Sequence, residues 1–101
     1  MKGYYKNIRV VARMVEGEGF LVPVADDMKE MRKIYKLNDL GWFIWQCLDS
    51  AADLDELSSL ISLEFDVETA LARRDAQDFL EGLDQVGAIS SEGKAFDGPQ
   101  D

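Results

Sequence analysis

The residues that could do chemistry are carboxylates in number, three closely spaced serines and a single thiol; there is no histidine. Asp26-Asp27 and the trio Asp53, Asp55 and Glu56 are spaced as acid–base pairs or hard-cation ligands can be. Such residues are mostly exposed, so solvated helix caps and loop charges are the stronger expectation. Ser58, Ser59 and Ser62 fall in a helical pattern with no base to activate them. Cys47 has no second cysteine to pair with, and His/Cys metal sites and His-based catalysis are both closed. The stretch EGEG, residues 16 to 19, lacks the GxxxxGK[ST] form of a phosphate loop, and its glutamates repel phosphate. The sequence therefore predicts a non-catalytic protein that needs no cofactor and no metal.

What must position these residues is one small domain. A chain of 101 residues with 47% hydrophobic and 10% aromatic content folds around one modest core. A domain over residues 1–89 is expected, followed by a tail, residues 90–101, whose small and polar composition reads as disordered. No apolar segment suits a signal peptide, and nowhere do eighteen apolar residues run together. With its lone cysteine, the chain is expected in the cytoplasm and not in a membrane.

Charge divides the chain. Residues 1–37 carry eight Lys/Arg against five Asp/Glu, whereas residues 38–101 carry three against fifteen, for a total of −9. A basic N-terminal half can attract an acidic partner, and an acidic C-terminal half repels phosphate backbones.

Strands come first and helices after. In IRVVARMV, Ile8, Val10, Ala12 and Met14 share one parity and Arg9 and Arg13 the other, the period of a half-buried strand. EGEG reads as a turn. FLVPVA returns as a second strand with Phe20, Val22 and Val24 on one face, and Pro23 belongs at a bulge, a strand end or an unpaired side. Residues 26 to 32 read as a loop with one helical turn, and KIYKL, residues 33 to 37, as a short third strand. Asn38 or Asp39 then caps a helix whose stripe is Leu40, Phe43, Ile44, Cys47 and Leu48. A second helix, capped by Asp53 or Asp55, aligns Leu54, Leu57, Leu60, Ile61 and Phe65. A third, from about Asp66 to about Gln85, aligns Ala72, Ala76, Phe79, Leu80, Leu83 and Val86, and Gly87 ends it. Trp45 is expected in the core; Trp42 divides evenly between core edge and exposed anchor.

Three strands and three helices, with a tight turn between the last two helices, form an α+β, winged helix-turn-helix-like arrangement: a three-stranded antiparallel sheet followed by three helices. Folds of this kind commonly bind DNA. Here the helix that would enter the major groove sets Arg73 and Arg74 against Glu68, Asp75, Asp78, Glu81 and Asp84, and duplex affinity comes from neutralised phosphates. No nucleic-acid partner is expected. A degenerate winged helix acting in transcription, through DNA or a protein partner, and a plain dimerisation module are two readings open to this arrangement.

Tyr35-Lys-Leu-Asn38, followed by Gly41, Ile44-Trp45 and Leu48, resembles the Y-x-L-N-x-x-G-x-x-I-W-x-x-L signature of PqqD-like proteins, the family of the pyrroloquinoline quinone biosynthesis protein D. Asp53 to Leu57, Phe65-Asp-Val67, Arg74-Asp75, Phe79-Leu80, Leu83 and Gly87 continue the resemblance, which spans roughly residues 8 to 89. It implies the fold of a RiPP recognition element. It also implies a function: binding the leader of a ribosomally made precursor peptide as an added strand, against the third helix, and presenting it to a modifying enzyme, often a radical S-adenosylmethionine protein. On that basis Ile34, Tyr35, Lys36 and Leu37 are the candidates for strand pairing. Arg73, Arg74, Asp75, Gln77 and Asp78 are the candidates on the facing helix. Lys29, Arg32, Lys33 and Lys36 cluster near this edge, so an acidic leader is expected. The chain departs from the family pattern in a longer loop at residues 25 to 32, in Trp42 where a small residue is usual, and in its C-terminal tail.

Overall fold

The computed structural model describes residues 4–7, 9–24, 34–49 and 53–91. Two strands, β2 (Val10–Val15) and β3 (Glu18–Pro23), follow a short β1 (Tyr4–Lys6) and form a hairpin. The turn is the pair Glu16-Gly17, with φ of 50° and 82°. Two left-handed residues in succession match the right-handed twist of the flanking strands, which is why so short a loop suffices. Pro23 is the last residue of β3, opposite Val10, a strand end where a missing N–H does least harm.

β4 (Tyr35–Leu37) completes a sheet of order β2-β3-β4, all antiparallel, with Tyr35 opposite Leu21 and Leu37 opposite Gly19. The strand is shorter than KIYKL: Ile34 precedes it, and Lys33 lies outside the described residues, as do the expected loop with Asp26-Asp27, Lys29 and Arg32.

Phe20 and Val22, with Val24 just beyond the strand, share one face of β3, and the register makes it the outer one. Leu21 is fully buried and Gly19 also faces the core, whereas Phe20 and Val22 are only half-buried and Val24 is exposed. Both faces of this strand are apolar, so alternation alone could not say which was inner. The tight turn decides it by pairing Leu21 with Ala12 and Gly19 with Met14.

Three helices cover that face. α1 (Asp39–Cys47) begins at Asn38, whose Oδ1 accepts a hydrogen bond from the Gly41 N–H at 2.7 Å. α2 (Leu54–Phe65) begins at Asp53, whose Oδ1 accepts from the Glu56 N–H at 2.9 Å. It ends on Asp66 at φ 56°, a left-handed position that a short acidic side chain tolerates. α3 (Thr69–Gln85) starts three residues later than the sequence suggested, and Gly87 at φ 83° follows its end. The core joins Leu21, Leu37, Ile44, Trp45, Leu57, Ile61, Leu80 and Leu83.

A second, two-stranded sheet has no precedent in the sequence pattern. β5 (Ile89–Ser91) pairs antiparallel with β1, Lys6 opposite Ile89 and Tyr4 opposite Ser91. Asn7 locks it: its Nδ2 donates to the Gly87 carbonyl, its backbone N–H to Ala88, and its Oδ1 accepts from the Arg9 N–H, each at 2.9 Å. This strand runs two residues into the segment whose composition reads as tail; residues 92–101 lie outside the described residues. Among the described residues no helix is long and apolar enough to cross a membrane.

Candidate functional site

β4 is an edge strand. One side is bonded to β3, and no strand among the described residues lies on the other. In an antiparallel ladder the main-chain groups of successive residues point alternately to the two sides, so part of this strand's N–H and C=O groups face outward. Tyr35 and Leu37 turn their side chains into the molecule, and Leu37 is buried. Lys36 points the other way, exposed, with Nζ 3.3 Å from Glu18. Ile34, just before the strand, is 62% exposed.

The strand is held from behind by the helix next in the chain. Asn38 turns the backbone directly into α1, and Trp42 one turn later lies on Gly19 of the neighbouring strand; a Cβ built at Gly19 would sit 2.5 Å from the indole. The bulky Trp42 is thus accommodated by a glycine across from it.

α3 passes beside this edge. A Cβ at Gly82 would lie 3.5 Å from the Tyr35 hydroxyl, and a Cβ at Gly41 only 2.9 Å from the Phe79 ring, so Phe79 and Gly82 mark the flank of α3 turned toward α1 and β4. Leu71, Asp75 and Phe79 are successive i, i+4 positions, and so are Arg74, Asp78 and Gly82, which carries those two rows along the same flank. Asp75 is half-buried there; Leu71, Arg74 and Asp78 are exposed. Arg73 is engaged elsewhere: its guanidinium donates to Asp55 at the start of α2. Gln77, one turn on from Arg73, shares that side. Of the α3 residues singled out from sequence, Arg73 is tied to Asp55, and Arg74, Asp75 and Asp78 lie on the i, i+4 rows that lead away from Phe79 and Gly82. Leu71, Phe79 and Gly82 join the flank without having been singled out as binding residues. Gly82 carried a signal, because a glycine inside a helix is unfavourable by about 1 kcal/mol relative to alanine and is kept where something must come close.

The three serines of α2 are engaged by main-chain carbonyls. Ser58 Oγ donates to the Leu54 carbonyl at 2.6 Å, Ser59 to Asp55 at 3.2 Å and Ser62 to Val67 at 2.6 Å, so each hydroxyl is used by the backbone. Burial, and then the neighbouring Glu64 carboxylate, push the Cys47 thiol above its ordinary value, away from the reactive thiolate. Among the described residues no group of three or more His, Cys, Asp and Glu could hold a metal ion.

The family model for Coenzyme PQQ synthesis protein D (PqqD) matches residues 18–89, from the first residue of β3 to the first of β5. The chain belongs to the PqqD family. A solved structure, TbiB1 in complex with the TbiA(beta) leader peptide, superposes with a TM-score of 0.70 over 90% of this chain and 98% of that one, at 24% identity. No curated protein matches the chain. The PqqD fold accounts for the three-stranded sheet and the three helices packed on it.

Proposed function

We propose that this PqqD-family chain is a RiPP recognition element, a non-catalytic cytoplasmic adaptor. It takes the leader of a ribosomally made precursor peptide as an added antiparallel strand on β4 and presents it to a modifying enzyme, of the radical S-adenosylmethionine class. The observation that carries the proposal is the open edge of β4, fixed by α1 and flanked by α3, in a family fold whose solved neighbour TbiB1 holds a leader peptide.

Strand addition draws much of its affinity from main-chain hydrogen bonds, and the side chains on the two faces add selectivity. On this edge Ile34, Tyr35, Lys36 and Leu37 supply the pairing, and Leu71, Arg74, Asp75 and Asp78 line the approach along α3. Lys36 favours an acidic residue in the leader, and Asp75 and Asp78 a basic one farther along.

The experiment is amide NMR of the full chain titrated with a leader peptide encoded in the same gene cluster. New exchange protection and shifts are expected at residues 34–37 and along 71–82. Changes confined to β2 or α2 would place the peptide elsewhere, and concentration-dependent self-association through β4 without peptide would favour a dimerisation module.

A further inference from the structure

We infer a second docking surface, an acidic-rimmed apolar cleft that takes a protein segment bearing a large apolar side chain flanked by lysine or arginine. The cleft, about 460 Å³, lies between the tip of the β2–β3 hairpin, the outer face of α1 and the C-terminal end of α2. Its apolar surface comes from Met14, Trp42, Phe43 and Phe65, and no residue of α3 lines it. It is therefore distinct from the proposed peptide edge, touching β4 only at Leu37, and the inference does not depend on that edge being occupied.

The cleft exists because of two glycines. Gly17 leaves the hairpin tip open, with nothing within 4 Å of where a Cβ would be, and Gly19 lets the Trp42 ring lie against the strand as a wall of the cleft. Met14, paired across from Gly19, is 51% exposed, and Phe65 is 36% exposed while its ring stands edge-on to Phe43, with centroids 5.4 Å apart. Methionine and aromatic side chains grouped at a surface, within a polar rim, are the composition of interface centres.

Charge selects the occupant. The charged residues lining the cleft are Asp39 and Glu64, both acidic. The nearby cations of the sheet, Arg13 and Lys36, lie in one cross-strand row with Phe20, on the opposite face from Met14, Gly19 and Leu37. A partner with an apolar anchor alone would leave two carboxylates partly desolvated at the rim; flanking cations compensate them. With a leader on β4, this surface stays free for the protein that acts on that leader.

The test is NMR titration of the full chain with a synthetic peptide of leucine, phenylalanine and lysine, beside its analogue with glutamate for every lysine. Shifts are expected at Met14, Gly19, Gln46, Phe65 and the Trp42 indole, with binding of the glutamate analogue weaker by roughly tenfold or more. Gln46 and Glu64 are exposed, so the double variant Gln46→Lys, Glu64→Lys should keep its fold, seen as unchanged α3 resonances, and lose about the same factor. Equal binding of the two peptides, shifts only along β4 and α3, or a self-associated dimer that excludes the peptide would each overturn the inference.

Discussion

Single residues decide how closely the elements of this molecule approach. Trp42 rests on Gly19, and a methyl group there would press against the ring at 2.5 Å. Gly19→Ala should destabilise the chain by about 1–3 kcal/mol, the usual range for overpacking, as measured by urea denaturation. The loss should shrink in a Trp42→Leu background, because the two positions are coupled by contact. Cys47 behaves as a small apolar residue. Its thiol is raised by burial and by Glu64, so alkylation by iodoacetamide at neutral pH should be much slower than for an unfolded control. The stability linked to this group is fully present while the unfolded thiol is protonated. It falls as pH rises past that value, about 8.5, toward the higher folded one, and Cys47→Ala should remove this alkaline dependence.

At the scale of elements, the clasp of β1 and β5 closes the domain. Three-residue strands have little stability of their own, and this pair depends on Asn7, which is 1% exposed and has both ends of its amide engaged. Asn7→Ala should cost about 1–3 kcal/mol in urea denaturation, since the buried Gly87 carbonyl is left without its donor and the Arg9 N–H loses its acceptor. Lys6 adds a second tie from β1, with Nζ 3.0 Å from Asp49 and 4.8 Å from the centre of the Trp45 ring. Asp49 is largely exposed, so the packing of the lysine against the indole matters more than the ion pair. The family match ends at Ile89 and begins after β1, so this clasp lies at the margin of what the PqqD model describes.

For the whole molecule, the distribution of charge overrides the shape. The helix-turn-helix of α2 and α3 beside a hairpin has the outline of a DNA-binding domain, yet α3 offers one exposed arginine not tied to Asp55, among Asp75, Asp78, Glu81 and Asp84. The chain should not bind random duplex at physiological salt, because the phosphate contacts that supply such affinity would be repelled. Micromolar, salt-sensitive binding in a fluorescence anisotropy titration would contradict this.

The local elements were legible in the sequence because their causes are local. The stripes of α1, α2 and α3, the caps at Asn38 and Asp53, the glycine after α3 and the edge strand ending at Leu37 each follow from spacing and from side chains within a turn or two. So did the run from Tyr35 to Leu48 that resembles the PqqD signature. Only the tertiary structure decided which face of β3 is inner, since Phe20 and Leu21 are both apolar and the choice falls to the turn register. It also decided that Arg73 binds Asp55 and that Gly82 lies beside the Tyr35 hydroxyl, which depends on how α3 is rotated against its neighbours. The β1–β5 pair lies farthest from local reading: Tyr4 and Ser91 stand at opposite ends of the chain, and contacts so distant in sequence leave no periodic trace in either segment.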